Sequence, residues 1–273
     1  MTIVVGVGTS EGLVLAGDSR TTTAYSDTQR HRIASDYAQK LFQVKGMGVA
    51  TFGWAFLERD TIAGVMDQFT AQVSGEVADM NVEEFATALG DFFDERFDQH
   101  LAAEGGSWDS DTQGFPLGFL VAGYDPDGVG YIVEVLIPGG QISEYKASTT
   151  EGGMMWRGQT DVINRLIKGI DGAELLKLGI EVPDDLAKEL GKLEYWTMSP
   201  ITLQDGIDFT SFLVCTTIDM QRFSDGTHGS PGSIPGCGGP VQILAVERRG
   251  ATWIRPLTLA TPSRPGLAEG AAP

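Results

Sequence analysis

The chain has 273 residues, 42% of them apolar and 21% charged, with a formal net charge of −18, which suits one large domain or two modest ones with a sizeable core. The negative excess repels nucleic acid and anionic membrane surfaces, so neither is an expected partner. Cys215 and Cys237 are too few for a disulfide framework and lack metal-site spacing; with no signal-like N-terminus and no run near the roughly 18 apolar residues of a membrane span, a cytoplasmic location is expected.

In chain order, "TIVVGVG" and "LVLAGDS" are β-branched runs joined by the turn-like Thr9-Ser10-Glu11-Gly12, which predicts a hairpin. The polar stretch 21–39 predicts a loop. "KLFQV" and "GVATFG" form a second strand pair around Lys45-Gly46-Met47-Gly48. Ile62, Val65, Met66, Phe69 and Val73 recur at helical spacing. A longer helix starts at Asn81, with Glu84 placed for a capping box and Val82, Phe85, Leu89, Phe93 and Phe97 on one face. After a Gly/Ser/Asp-rich loop over 104–114, "FLVAGYDPDGVGYIVEVLIPGG" reads as strand, turn and strand, and another strand is expected around 142–145. A short helix is expected over 160–168. "ITLQDGIDFTSFLVCTTIDMQRF" predicts a long one, with Leu203, Ile207, Val214 and Ile218 on one side. "VQILAVERR" and "TWIRPLTLA" predict two closing strands.

Strand runs and helix runs are segregated, which argues against alternating βαβ units. An α+β fold, a four-layer α/β/β/α sandwich with two antiparallel sheets between helix pairs, would bury every apolar face. No repeat or linker interrupts the chain, so residues 2–260 are expected to form a single domain. The Pro/Ala/Gly-rich end, 261–273, is expected to be a flexible tail.

Thr2 follows Met1 at the head of the first strand. A threonine hydroxyl is a weak nucleophile until a base takes its proton. A free α-amine, with an ordinary pKa of about 8, can be that base on the same residue once Met1 is removed. Asp18 ends the strand paired with the one Thr2 heads, so a hairpin turning near Ser10 brings them to one end. Lys40 opens the next strand and can point at the same spot, where an ammonium helps activate the hydroxyl and a carboxylate holds the ammonium. Gly53 ends a strand before a helix, where a turn N–H can serve as an oxyanion donor. Taken singly these are a frayed strand start, two turn residues and a surface lysine; their topological order is what points to chemistry. Thr51 and Trp54 flank the Gly53 turn and are candidate pocket residues. His31, His100 and His228 are scattered, with no metal or triad spacing. "GMGVATFG" and "GVGTSEG" lack the context of a phosphate loop.

These residues resemble the proteasome β-subunit family, threonine peptidases of the N-terminal nucleophile hydrolase superfamily. The likeness runs from Thr2 through Val5-Gly6 to Asp18-Ser19-Arg20. It continues in "KLFQV", in "GVATFG", in the hairpin "VAGYDPDGVGYIVEV" and in the long helix from Ile201 with the following "GGPVQILAV". The resemblance implies Thr2 as nucleophile with its own amine as base, Asp18 and Lys40 as supporting pair, and the Gly53 N–H as oxyanion donor. It implies cleavage of peptide bonds through an ester-linked acyl-enzyme, no organic cofactor or metal, peptide or unfolded-protein substrates, and a homo-oligomeric ring or related assembly. Whether an ATP-dependent unfoldase partners it stays open.

The chain also departs from the family. Where ordinary members carry a propeptide, a single Met precedes Thr2 in this sequence, which is nearer the simple bacterial relatives, and the stretch between Arg20 and Lys40 is longer than usual. Where the family has a serine before its third helix, this chain has Arg157 and Gly158. Where the family has an Arg-Asp pair after its fourth helix, it has Arg222-Phe223 followed by "SDGTHGSPGSIPGCGG". Asp225 is a candidate replacement carboxylate, and Cys237 stands where serine is common. Trp156-Arg157 is a candidate subunit contact. Two other readings follow from the same residues: an amidase or acyltransferase acting on a small amide with the same nucleophile, and a catalytically inactive proteasome-like scaffold.

Overall fold

A computed structural model describes residues 2–25, 30–73, 80–144, 146–191, 200–224, 226–227, 230–231 and 234–259. The expected flexible tail at 261–273 lies outside them.

β1 (Ile3–Gly8) and β2 (Leu13–Gly17) form the first hairpin, with Val5 opposite Ala16. β3 (Thr21–Tyr25) and β4 (Arg30–Ser35) pair as a two-stranded ribbon. The expected 21–39 loop is therefore largely a hairpin. Its β-branched threonines favour extended backbone, and a ribbon carried on the surface needs no apolar face. β5 (Leu41–Val44) and β6 (Met47–Gly53) turn at Lys45-Gly46. The short β7 (Phe56–Leu57) and β8 (Asp60–Thr61) lead into α1 (Ile62–Gln72), which is capped by the Thr61 side chain accepting from the Gly64 N–H. α2 (Val82–Glu104) carries the Asn81/Glu84 capping box and stops at Gly105 in the left-handed region. α3 (Ser110–Gln113) is one short turn.

β9 (Leu117–Tyr124) and β10 (Gly130–Ile137) form the central hairpin. The strand expected around 142–145 is split into β11 (Gln141–Ile142) and β12 (Ala147–Ser148), each paired with β10. β13 (Met154–Gly158), not anticipated as a strand, pairs with β1. α4 (Asp161–Lys168), α5 (Gly172–Lys177), α6 (Asp184–Gly191) and α7 (Leu203–Phe223) follow. The ladder β14 (Gly226–Thr227) and β15 (Ser230–Pro231) precedes the closing strands β16 (Gln242–Glu247) and β17 (Gly250–Arg255). β17 ends before Pro256, which has no N–H to continue a ladder.

The chain is thus mixed α+β with antiparallel sheets. One sheet runs β13-β1-β2-β16-β17, and the other runs β11-β10-β9-β6-β5 with β12 also on β10. Side-chain alternation divides the core. Val4, Leu13, Leu15 and Leu244 join Leu120, Ala122 and Ile132 in a cluster between the sheets. From the opposite face, Ile3, Val5, Val7 and Val14 pack with Leu213 and Val214 of α7 and Ile163 of α4. Phe119, Val121, Val133 and Val135 meet Phe69 of α1 and Phe85, Leu89 and Phe93 of α2. Strands apolar on both faces are what a sheet covered on both sides demands. Among the described residues, no helix is long and apolar enough to cross a membrane.

Candidate active site

The β1–β2 register sets Val4 opposite Gly17, so Ile3 and Asp18 lie side by side at the end of the hairpin. The Asp18 N–H donates to the Ile3 carbonyl at 3.2 Å, and the Ile3 N–H donates to Asp18 Oδ1 at 3.1 Å. Lys40, at the mouth of β5, donates from Nζ to Asp18 Oδ1 at 2.6 Å and to the Arg20 carbonyl at 2.6 Å. Asp18 is fully buried and Lys40 is 4% exposed. Asp18 Oδ2 accepts from the N–H groups of Arg20 at 3.2 Å and Gly238 at 2.9 Å. Four donors on one carboxylate meet the requirement that a buried charge be paired and hydrogen-bonded.

Thr2, Lys40, Thr51, Gly53 and Trp54 line one cavity of about 730 Å³. Gly53 has φ +92°, and a Cβ built there would lie 2.0 Å from the Pro116 carbonyl oxygen. Only glycine fits this turn, where the chain leaves β6 along the cavity wall. The Trp54 ring is anchored from α2, tilted on Phe97 and edge-on to His100, and also edge-on to Trp108. His100 is occupied structurally, its Nδ1 accepting from the Glu58 N–H at 2.9 Å. The side chains of His31 and His228 lie outside the described set.

The remaining sequence candidates sit in different places. Ser19 is fully buried and turned from the cavity, donating to the Pro240 carbonyl and accepting from Gln242 Nε2. Gly158, opposite Ile3 with φ +95°, lies directly under Thr2, and a Cβ there would meet the Thr2 carbonyl oxygen at 1.9 Å. The neighbouring Gln159 N–H donates to that oxygen at 2.7 Å. The Arg157 side chain goes elsewhere. Its guanidinium binds both carboxylate oxygens of Glu134 on β10 and the Trp156 carbonyl. Trp156 is used within the chain, donating to Asn164 Oδ1 and lying under Lys168. Arg222 stacks over the exposed Phe223. Asp225 lies outside the described residues.

Cys237 is buried beside the Asp18–Lys40 pair, its N–H donating to Gln221 Oε1 at 2.8 Å. Burial first, and then the Asp18 charge, push its thiol pKa well up. Alkylation of Cys237 by iodoacetamide at pH 8 is therefore expected to be far slower in the native protein than in urea. Peptide mapping, which separates it from Cys215, checks this; equal native and unfolded rates would contradict the burial.

Several supporting residues were not singled out from the sequence. Gln242 is fully buried. Its Oε1 accepts from the N–H groups of Lys40 and Leu41, both at 3.3 Å, while Nε2 donates to Ser19 Oγ and to the Ala38 carbonyl. A lone amide at the head of the apolar run "VQILAV" was the available signal. Gln221, at the end of α7, links Cys237 to Gln159 and so to Thr2. The Arg20 guanidinium pairs with Asp36 at 2.6 Å, which raises its pKa against the opposing effect of burial. It also donates to the Pro235 carbonyl, tying down the segment that delivers Gly238 to Asp18. Asp161, the first residue of α4, keeps Oδ1 buried without a hydrogen-bond partner among the described residues.

No protein-family model and no curated protein matches the sequence. Solved structures do. A Gly-1 mutant of Anbu from Hyphomicrobium sp. strain MC1 superposes with a TM-score of 0.57 at 16% identity, covering 93% of this chain and 85% of that one. Anbu, an ancestral beta-subunit, from Yersinia bercovieri gives 0.50 at 16% identity over 93% and 86%. A helical assembly of the Anbu complex from Pseudomonas aeruginosa gives 0.53 at 16% identity over 93% and 86%. At this identity the likeness is one of fold, and the chain is similar to Anbu in its mixed α+β, antiparallel-sheet architecture.

Proposed function

We propose that this chain is a threonine-dependent N-terminal nucleophile hydrolase of the proteasome-like kind, a single-domain four-layer α/β/β/α sandwich that cleaves peptide or protein amide bonds. The observation that carries the reading is the buried Lys40–Asp18 pair, 2.6 Å between Nζ and Oδ1, held by the backbone of the residue next to Thr2 in a cavity that Thr2 and Lys40 share. A lysine and an aspartate buried at a strand end cost more than apolar residues of similar size. Their presence in the cavity wall beside Thr2 fits a chemical role.

In this reading Met1 is excised and the freed Thr2 amine takes the Oγ1 proton, directly or through a water. Oγ1 attacks the amide carbon and the carbonyl oxygen becomes an oxyanion facing the Gly53 N–H. The C–N bond breaks, and the leaving amine takes the proton held by the Thr2 amine. Water then attacks the ester, releasing the acid and restoring the hydroxyl. The Lys40 ammonium favours the alkoxide character of Oγ1, and Asp18 keeps that ammonium in place. A cytoplasmic homo-oligomer is part of the proposal, supported by a structural neighbour described as a helical assembly.

Intact mass spectrometry before and after treatment with a peptide epoxyketone tests it. Loss of Met1 and one stoichiometric adduct, abolished by Thr2→Ala, is the expected result. Retained Met1 with no adduct would replace it with the inactive-scaffold reading, which the outward-facing Arg222 and Phe223 favour at the position where the resemblance implies a carboxylate.

A further inference from the structure

The cavity that holds Thr2 has an unequal wall. Its floor carries hydroxyls from Thr2, Thr21 and Thr51, while the outer wall includes Leu257 and Leu259 from the four residues that follow β17. The route of the chain explains how they reach it. β17 is an edge strand whose last residue, Arg255, stands opposite Ile243, next to Gln242, and Gln242 holds the Lys40 backbone. Pro256 ends the ladder, so the segment leaves the sheet at the position where the Lys40 end of the site begins. Leu257 and Leu259 are two residues apart, the spacing that puts both side chains on one side of an extended chain. Leu257 is half-buried and Leu259 is 78% exposed, as rim residues awaiting an apolar partner would be. Phe56, 41% exposed, lines the same cavity.

Charge narrows the class of ligand. Lys40 is the one charged residue among the described residues lining the cavity, and Asp18 already pairs with it. A charged side chain entering would lose water and meet no charged residue other than the paired Lys40 in the described lining, a penalty that an apolar side chain avoids.

We propose that Leu257 and Leu259 are specificity-determining residues. The segment after the last strand forms a wall of the Thr2 cavity, which selects substrates with an uncharged, apolar side chain on the acyl side of the scissile bond. The proposal rests on Thr2 being the nucleophile.

The test uses the full chain and fluorogenic peptides that differ only in the residue before the cleaved bond: Ala, Leu, Phe, Glu and Lys. The intact protein is expected to favour Leu and Phe over Glu and Lys by on the order of a hundredfold in kcat/KM. In Leu257→Ala the Phe-to-Leu ratio should rise about tenfold, the usual worth of a few methylenes in such a pocket, with the Ala peptide little changed. Leu259→Asp puts a carboxylate on the rim, and there the Lys peptide should gain about tenfold relative to Leu. A merely structural role for the segment would lower all five rates together.

Activity with unmoved ratios in both variants overturns the specificity assignment and leaves the threonine reading standing. Equal turnover of Glu, Lys and Leu peptides by the intact protein overturns the apolar class. No turnover of any peptide, with no epoxyketone adduct, overturns the threonine reading and this inference with it.

Discussion

Replacing Lys40 with alanine is expected to slow acylation of Thr2 by roughly 10²- to 10⁴-fold, the range of a positioned proton-transfer or charge-supplying group. The ammonium donates to Asp18 Oδ1 and to the Arg20 carbonyl, both at 2.6 Å, and shares the cavity with Thr2. The same substitution leaves Asp18 fully buried with only the N–H groups of Ile3, Arg20 and Gly238. Stability should therefore fall too, by about 3 kcal/mol, the lower end for breaking a buried pair because three donors remain.

The two effects separate in a double variant, Lys40→Ala with Asp18→Asn, which removes both charges. It should recover part of the melting temperature, because an amide can accept on only one of the two sides that face backbone N–H groups, and none of the reactivity. Time courses of epoxyketone adduct formation, read by intact mass on protein that melts cooperatively, decide the matter. An unchanged adduct rate in folded Lys40→Ala would falsify the role given to this lysine.

Arg157→Met should be strongly destabilising while leaving the Thr2 cavity lining intact. Arg157 on β13 belongs to one sheet and Glu134 on β10 to the other, so their two-point contact ties the sheets together. The Glu134 side chain is 3% exposed and the Arg157 side chain 37%. Removing the cation strands a buried carboxylate, which costs about 3–5 kcal/mol when a pair is fully buried. Solvent reaches Arg157, so a loss of about 3 kcal/mol and a melting point lower by on the order of 10 °C are expected. The reverse change is milder. Glu134→Gln leaves a cation that water can reach, and should cost less than half as much. Urea titrations of the two single variants check the asymmetry, and equal losses would show that burial of Glu134 is not what sets the cost.

Much of the candidate site was legible in the linear order of residues. Thr2 and Asp18 come to the same end of the hairpin because a short turn and a two-residue side-chain period leave little choice of register in a hairpin buried on both faces. Lys40 and Gly53 bound the next strand pair, so the same local reasoning puts them at one end. The helices α1, α2 and α7 announced themselves by apolar spacing and by capping residues that act locally, as Asn81 with Glu84 and Thr202 with Asp205 do. The 21–39 stretch misled because a polar ribbon has no apolar period to read.

The sequence by itself determined the elements whose hydrogen bonds and apolar faces close within a few residues, and with them the order Thr2, Asp18, Lys40, Gly53. Tertiary structure alone decided what surrounds that order. Gln242 reaches Lys40 across 202 positions, and Gly238 reaches Asp18 across 220. β13 fills the open edge of β1 and puts Gly158 and Gln159 against Thr2, while sending Arg157 to Glu134. Leu257 arrives at the cavity only because β17 takes the far edge of the sheet. Local propensity acts along the chain, whereas these meetings depend on which apolar faces cover one another once every strand has found its neighbours, and no short stretch of sequence carries that information.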